Sequence, residues 1–100
     1  MALVVVTNRI PDSGLAALRA EHEVRAWESE ECISRAECLD LVRGADAVLT
    51  LLTERVDDDF LAAAGPQLKL VANVAVGFNN IDVVACERRG VTATNTPKVL

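Results

Sequence analysis

No basic stripe runs through this sequence: ten Lys and Arg stand against fifteen Asp and Glu in 100 residues, a net charge of −5 at pH 7. Nucleic-acid binding depends on clustered cations that displace the counterions of a phosphate backbone, so a nucleic-acid partner is excluded. No C-x-x-C pair occurs either. Cys32, Cys38 and Cys86 are odd in number and have no histidine close by, which argues against a disulfide framework and a zinc site and for reduced cytoplasmic thiols. No apolar run approaches the roughly 18 residues that span a bilayer, and the start at Met1-Ala2-Leu3-Val4-Val5-Val6 lacks a basic leader and a cleavage site. A soluble cytoplasmic protein with no membrane partner is expected. Also missing are G-x-G-x-x-G, G-x-x-x-x-G-K-[ST] and G-x-S-x-G. The residues therefore give no sign of a nucleotide cradle, a phosphate loop or a hydrolase elbow, and whatever the chain binds is small.

What is present is apolar, 51 % of the residues, enough for one core in a chain too short for two. Short Val-rich runs alternate with longer segments of helical period, the pattern of stacked βαβ units. Strands are predicted over 2–7, 23–27, 45–52, 68–74 and 91–95. The first is apolar on both sides, as an interior parallel strand requires, and belongs at the centre of the sheet. The second alternates polar and apolar residues, as an outer strand does.

A first helix is expected from about Pro11, with Leu15, Leu18 and Ala16 facing the sheet. Ser34 and Glu37 form an S-x-x-E capping box for a second helix, closed by Gly44. Asp57, Asp58 and Asp59 supply the negative first turn of a third helix, which ends at Gly65-Pro66. That role explains them better than a metal, and no metal site is expected. Asn80 can cap a fourth helix, closed by Gly90. With right-handed crossovers the expected fold is α/β, a flavodoxin-like doubly wound parallel five-stranded sheet with helices on both faces.

In such a sheet, ligands collect beyond the carboxyl ends of the strands, here the loops after Thr7, Leu52 and Val74. Ala75-Val76-Gly77-Phe78-Asn79-Asn80 runs from a strand through a glycine into a helix start, leaving free N–H groups at Val76 and Gly77 for a carboxylate. The same glycine can serve only as a tight strand-to-helix turn, and geometry alone does not separate the two. Residues 61–100 carry two acids against four bases, while residues 1–60 carry thirteen against six, so the second half suits an anion better. Leu51, Leu52 and Thr53 can wall a small apolar pocket, with the Thr53 hydroxyl for a ligand; such a threonine more often turns the chain. Arg9 can reach an anion, although packing along the sheet edge is its commoner role. His22 falls in a polar turn away from these loops and is not expected to act as a base.

The run Val71-Ala72-Asn73-Val74-Ala75-Val76-Gly77-Phe78-Asn79-Asn80-Ile81-Asp82 resembles the V-G-x-D/N-N-I-D loop of the D-isomer-specific 2-hydroxyacid dehydrogenases. Arg89-Gly90-Val91 through Thr94-Asn95-Thr96-Pro97 continues the likeness. Thr7-Asn8-Arg9-Ile10-Pro11 and Leu51-Leu52-Thr53-Glu54-Arg55-Val56-Asp57 resemble segments of the glyoxylate/hydroxypyruvate reductase branch. The resemblance implies that residues 1–100 are a substrate-binding domain, cut at a hinge near 96–100 before a nucleotide-binding domain. It further implies that the amides of Val76 and Gly77 hold the carboxylate of a small 2-oxo acid, bordered by Leu52 and Thr53. NAD(H) or NADP(H) would serve a homodimeric parent, with no catalytic or cofactor-binding residue in this chain and no turnover from it alone. Asn79 stands where Asp is frequent in the family, a departure that spares the backbone cradle.

A receiver-like signalling domain would need acids after the first strand and Asp after the third; Thr7-Asn8 and Leu51-Leu52-Thr53 stand there instead. The other alternative is an isolated flavodoxin-like interaction module that self-associates through apolar surface.

Overall fold

β1 (Leu3–Val6) is a run of four apolar residues, three of them buried, because a strand inside a parallel sheet is covered on both faces. The computed structural model describes residues 2–8, 12–27, 29, 31–51, 54–74 and 79–95. In it β1 lies between β2 (Glu23–Ala26) and β3 (Ala47–Thr50), and β4 (Leu70–Asn73) and β5 (Thr92–Asn95) extend the sheet beyond β3. All pairings are parallel and the order is β2-β1-β3-β4-β5, that of a flavodoxin-like sheet.

Four helices make the connections: α1 (Asp12–Glu21), α2 (Arg35–Leu41), α3 (Asp58–Ala64) and α4 (Val83–Arg88). The chain steps one way from β1 to β2 and the other way thereafter. Right-handed crossovers therefore put α1 on one face of the sheet and the other three helices on the opposite face, where α3 packs against both α2 and α4. None of the helices is long and apolar enough to cross a membrane among the described residues.

The main core lies on the three-helix face. Val5, Val48 and Val71 stand in register across three strands, each fully buried, and meet Val42, Phe60, Leu61, Ala64, Ala85 and Cys86. Each large side chain so buried contributes about 1.5–3 kcal/mol. Val4 and Val6 alternate to the other face, on which α1 lays Leu15.

The capping box forms as the sequence predicts: Glu37 N donates to Ser34 Oγ and Ser34 N to Glu37 Oε1, both at 3.1 Å. Gly44 and Gly90 follow α2 and α4 at φ +79° and +71°, the left-handed conformation that lets the chain leave a helix.

Three expectations need correction. Asp82, not Asn80, caps α4, accepting from Ala85 N at 3.0 Å. The helix starts later because Ile81 is held in a parallel bridge with Val56, which engages the Asn80 carbonyl and the Asp82 N–H, each at 2.8 Å. Ala16 is exposed, since the apolar stripe of α1 is narrow, with Leu15 buried and Leu18 half-buried. β3 rather than β1 occupies the middle, because β2 alone lies outside β1. The predicted start at Pro11 lies outside the described residues.

Candidate functional site

Parallel strands end along one edge of the sheet, and the reversal of chain direction between β1 and β3 opens a crevice there. The ladder continues one residue past the strands: Thr7 N donates to Leu49 O at 3.1 Å and Val74 N to Thr50 O at 2.7 Å. The strand ends are thus tied before their loops begin. The buried polar side chains among the described residues are Thr7, Thr50, Glu54 and Asn73, and all four sit at this edge.

Glu54 is 5 % exposed, and its Oε1 accepts from Thr7 Oγ1 at 2.6 Å, Asn8 Nδ2 at 2.7 Å and Leu51 N at 2.9 Å. A buried carboxyl group without such donors would be strongly destabilising. Here it joins the end of β1 to the loop after β3.

Thr50 Oγ1 donates to Asn73 Oδ1 at 2.9 Å across the β3–β4 pair. Asn73 and Asn80 then exchange bonds: Asn73 Nδ2 donates to Asn80 Oδ1 at 3.0 Å, and Asn80 Nδ2 to Asn73 Oδ1 at 3.1 Å. Asn80 Nδ2 also donates to Leu51 O at 3.1 Å and Glu54 O at 2.8 Å. An amide nitrogen has only two protons for these three acceptors, so at least one proton is shared. With the bonds of Val56 to Asn80 and Asp82, the loops after β3 and β4 are stitched together by side chains and backbone.

The four residues predicted to meet the ligand, Leu52, Thr53, Val76 and Gly77, lie outside the described residues, as does Arg9. The nearest residues described on either side are Leu51 and Glu54 for the first pair and Val74 and Asn79 for the second. Leu51, Glu54 and Val74 are bonded within the network, as is Asn80, which follows Asn79. His22 precedes β2 at the amino-terminal edge of the sheet, and its buried Nδ1 has no hydrogen-bond partner among the described residues. It takes no part in the crevice.

Sequence reasoning missed Glu54, Asn73 and the side-chain role of Asn80. A local signal existed. Thr7, Thr50 and Asn73 each close an apolar strand with a polar residue at the same end, and a buried polar group needs partners.

Beside the loop after β3, a cavity of about 330 Å³ is lined by Ile33, Ser34, Arg35, Cys38, Glu54 and Arg55. Arg35 donates to Arg55 O at 2.6 Å and pairs with Asp57. Burial, reinforced by the Glu54 carboxylate and opposed by Arg35, pushes the Cys38 thiol up to about 11. The thiol stays protonated and is no nucleophile. At Asp57 burial pushes the carboxyl upward, but the Phe60 N–H and Arg35 outweigh it and hold the group below the usual carboxylate range.

The model of the family described as D-isomer specific 2-hydroxyacid dehydrogenase, catalytic domain, matches residues 4–100. A glyoxylate reductase of Thermococcus onnurineus (strain NA1) is 48 % identical over 97 residues, which make up 97 % of this chain and 29 % of that protein. The chain therefore spans less than a third of the length of the curated relatives it matches. Among solved structures, the TT0316 protein from Thermus thermophilus superposes with a TM-score of 0.90 at 32 % identity, covering 98 % of this chain and 31 % of that one. The NAD+-bound 3-phosphoglycerate dehydrogenase of Entamoeba histolytica shares the fold at a TM-score of 0.78 and 22 % identity, over 96 % of this chain and 33 % of that one.

Proposed function

The chain belongs to the D-isomer specific 2-hydroxyacid dehydrogenase family, and we propose that it is the substrate-binding part of a longer NAD(P)-dependent oxidoreductase. The reaction is reduction of a small 2-oxo acid, glyoxylate or hydroxypyruvate, to the D-2-hydroxy acid. Residues 1–100 form the substrate-binding domain, and the crossing to the nucleotide-binding domain begins at about 96–100.

The observation that carries this reading is one part-buried polar network that joins the described residues flanking the two loops beyond the sheet's carboxyl edge. A small 2-oxo acid offers a carboxylate, an adjacent carbonyl and little apolar surface. Affinity for it must come from a few charge-assisted hydrogen bonds to donors already fixed in place, because ordering a loose loop on binding would consume most of the gain. Backbone N–H groups of Val76 and Gly77 take the carboxylate, and Leu52 and Thr53 border the acid.

The reaction needs a nicotinamide cofactor to supply the hydride, and the described residues do not fit one. The β1/β3 crevice, where open α/β sheets receive nucleotides, is occupied by the acidic side chain of Glu54 bonded to Thr7 and Asn8. A pyrophosphate there would meet a carboxyl group instead of glycine-lined amides. The cofactor is held outside these residues, and no step of hydride transfer is assigned to them.

Steady-state assays of the longer protein that carries this chain test the reading. Saturable consumption of NADH or NADPH with glyoxylate or hydroxypyruvate is expected, with no turnover from residues 1–100 alone. Failure of the longer protein to reduce either acid with either cofactor contradicts it.

A further inference from the structure

Leu51 O and Glu54 O lie on either side of residues 52–53, and one side-chain nitrogen, Asn80 Nδ2, donates to both, at 3.1 and 2.8 Å. The same amide pairs with Asn73, which precedes the 74–79 segment, while Asn80 itself follows it. One residue thus clamps both ends of the first loop and closes the second. We propose that Asn80 is a positioning residue that ties Leu51 and Glu54 to Asn73 and thereby sets affinity for the 2-oxo acid, leaving cofactor affinity unchanged. The inference rests on the reading that these two loops grip the acid.

The chemistry of the position is restrictive. It must donate toward carbonyl oxygens of Leu51 and Glu54 and also accept from Asn73 Nδ2. A primary amide carries both capacities on one short planar group. An aspartate of the same shape would keep the acceptor and turn oxygen toward three oxygen acceptors. A serine falls short of them. Since the carbonyls of Leu51 and Glu54 belong to a loop and not to a strand ladder, loss of the amide removes the side-chain tie from Asn80 to both, leaving Leu51 and Glu54 joined to each other by Glu54 N to Leu51 O at 3.1 Å and Leu51 N to Glu54 Oε1 at 2.9 Å.

A residue that merely stabilised the fold would weaken every ligand together with thermal stability. The test is therefore a comparison of the full-length enzyme with its Asn80→Asp and Asn80→Ser variants, reading four quantities: KM for glyoxylate, kcat, Kd of the nicotinamide cofactor by fluorescence, and Tm. Expected is a KM raised about tenfold, the consequence of losing one or more part-buried hydrogen bonds, with kcat and cofactor Kd changed by less than about threefold. Amide hydrogen exchange is followed in parallel. Leu51 N–H, held by Glu54, should exchange faster in the variants although the substitution lies in another loop.

An unchanged KM, or losses of acid and cofactor affinity in step with Tm, overturns the inference, as does failure of both variants to fold. If the unaltered enzyme reduces neither acid, the functional reading fails. The exchange rate of Leu51 then decides the coupling alone, and no acceleration in Asn80→Asp refutes it.

Discussion

Thr7 Oγ1 donates to Glu54 Oε1 at 2.6 Å across 47 residues of sequence, with both side chains buried. Water cannot readily replace the bond, and the end of β1 is thereby fixed to the loop after β3.

Thr7→Val removes the hydroxyl at nearly constant volume and leaves Glu54 one donor short. Stability should fall by about 1–3 kcal/mol, the range for a buried group left with an unmet hydrogen bond, and Thr7→Ser should cost less. Urea denaturation measures both. Equal stability of Thr7→Val and the unaltered protein would show that the bond contributes nothing.

The thiols should divide by burial. Cys32 is exposed, whereas Cys38 and Cys86 are buried with their thiols pushed upward, Cys86 by burial and then by the Asp82 charge. A thiol reagent at neutral pH should label Cys32 rapidly and the other two only after unfolding.

Cys38 also predicts an alkaline limit. From its ordinary value of 9.0 the thiol is raised to about 11 in the folded state. Between those values the unfolded chain releases the proton that the folded chain retains, so the folded state binds more protons and stability falls as pH rises. The full contribution is present below pH 9, and its loss through pH 11 amounts to roughly 2–3 kcal/mol. Stability curves of Cys38→Ala should lack this part of the slope.

Asp57 should show the opposite dependence. It caps α3 by accepting from Phe60 N at 3.0 Å and pairs with Arg35, and its carboxyl is held below the ordinary value. Its contribution is present above the ordinary carboxylate pKa and is lost as pH falls through the depressed one. Asp57→Ala should cost about 1 kcal/mol at neutral pH and progressively less in acid, as read from denaturation midpoints across the acid range.

Local features were legible in the sequence, and features joining distant residues were not. The Leu3–Val6 run announces a covered strand, and Ser34 with Glu37 announces a helix start, because each signal is complete within a few residues. Asn80 looked like a cap, since an Asn before a helical stretch usually is one. Its true partners include Glu54, 26 residues away, and the bridge of Ile81 to Val56 delays the helix. Glu54 looked like an ordinary polar loop residue until the fold brought Thr7 and Asn8 to it. The glycine loop around Gly77 was legible as a motif, whereas the polar network that joins Asn73 and Asn80 to Leu51 and Glu54 depends on contacts between loops that no short stretch of sequence encodes.

The most direct test of the central claim is an amide chemical-shift titration of the isotopically labelled chain with glyoxylate. Val76, Gly77 and Phe78 are followed against remote amides such as those of His22 and Val24. Saturable shifts confined to the residue 76–78 amides and their tethered neighbours Leu51 and Asn80 are expected. Amides at 76–78 that stay unmoved, or shifts spread evenly over the chain, would contradict a carboxylate site on that loop.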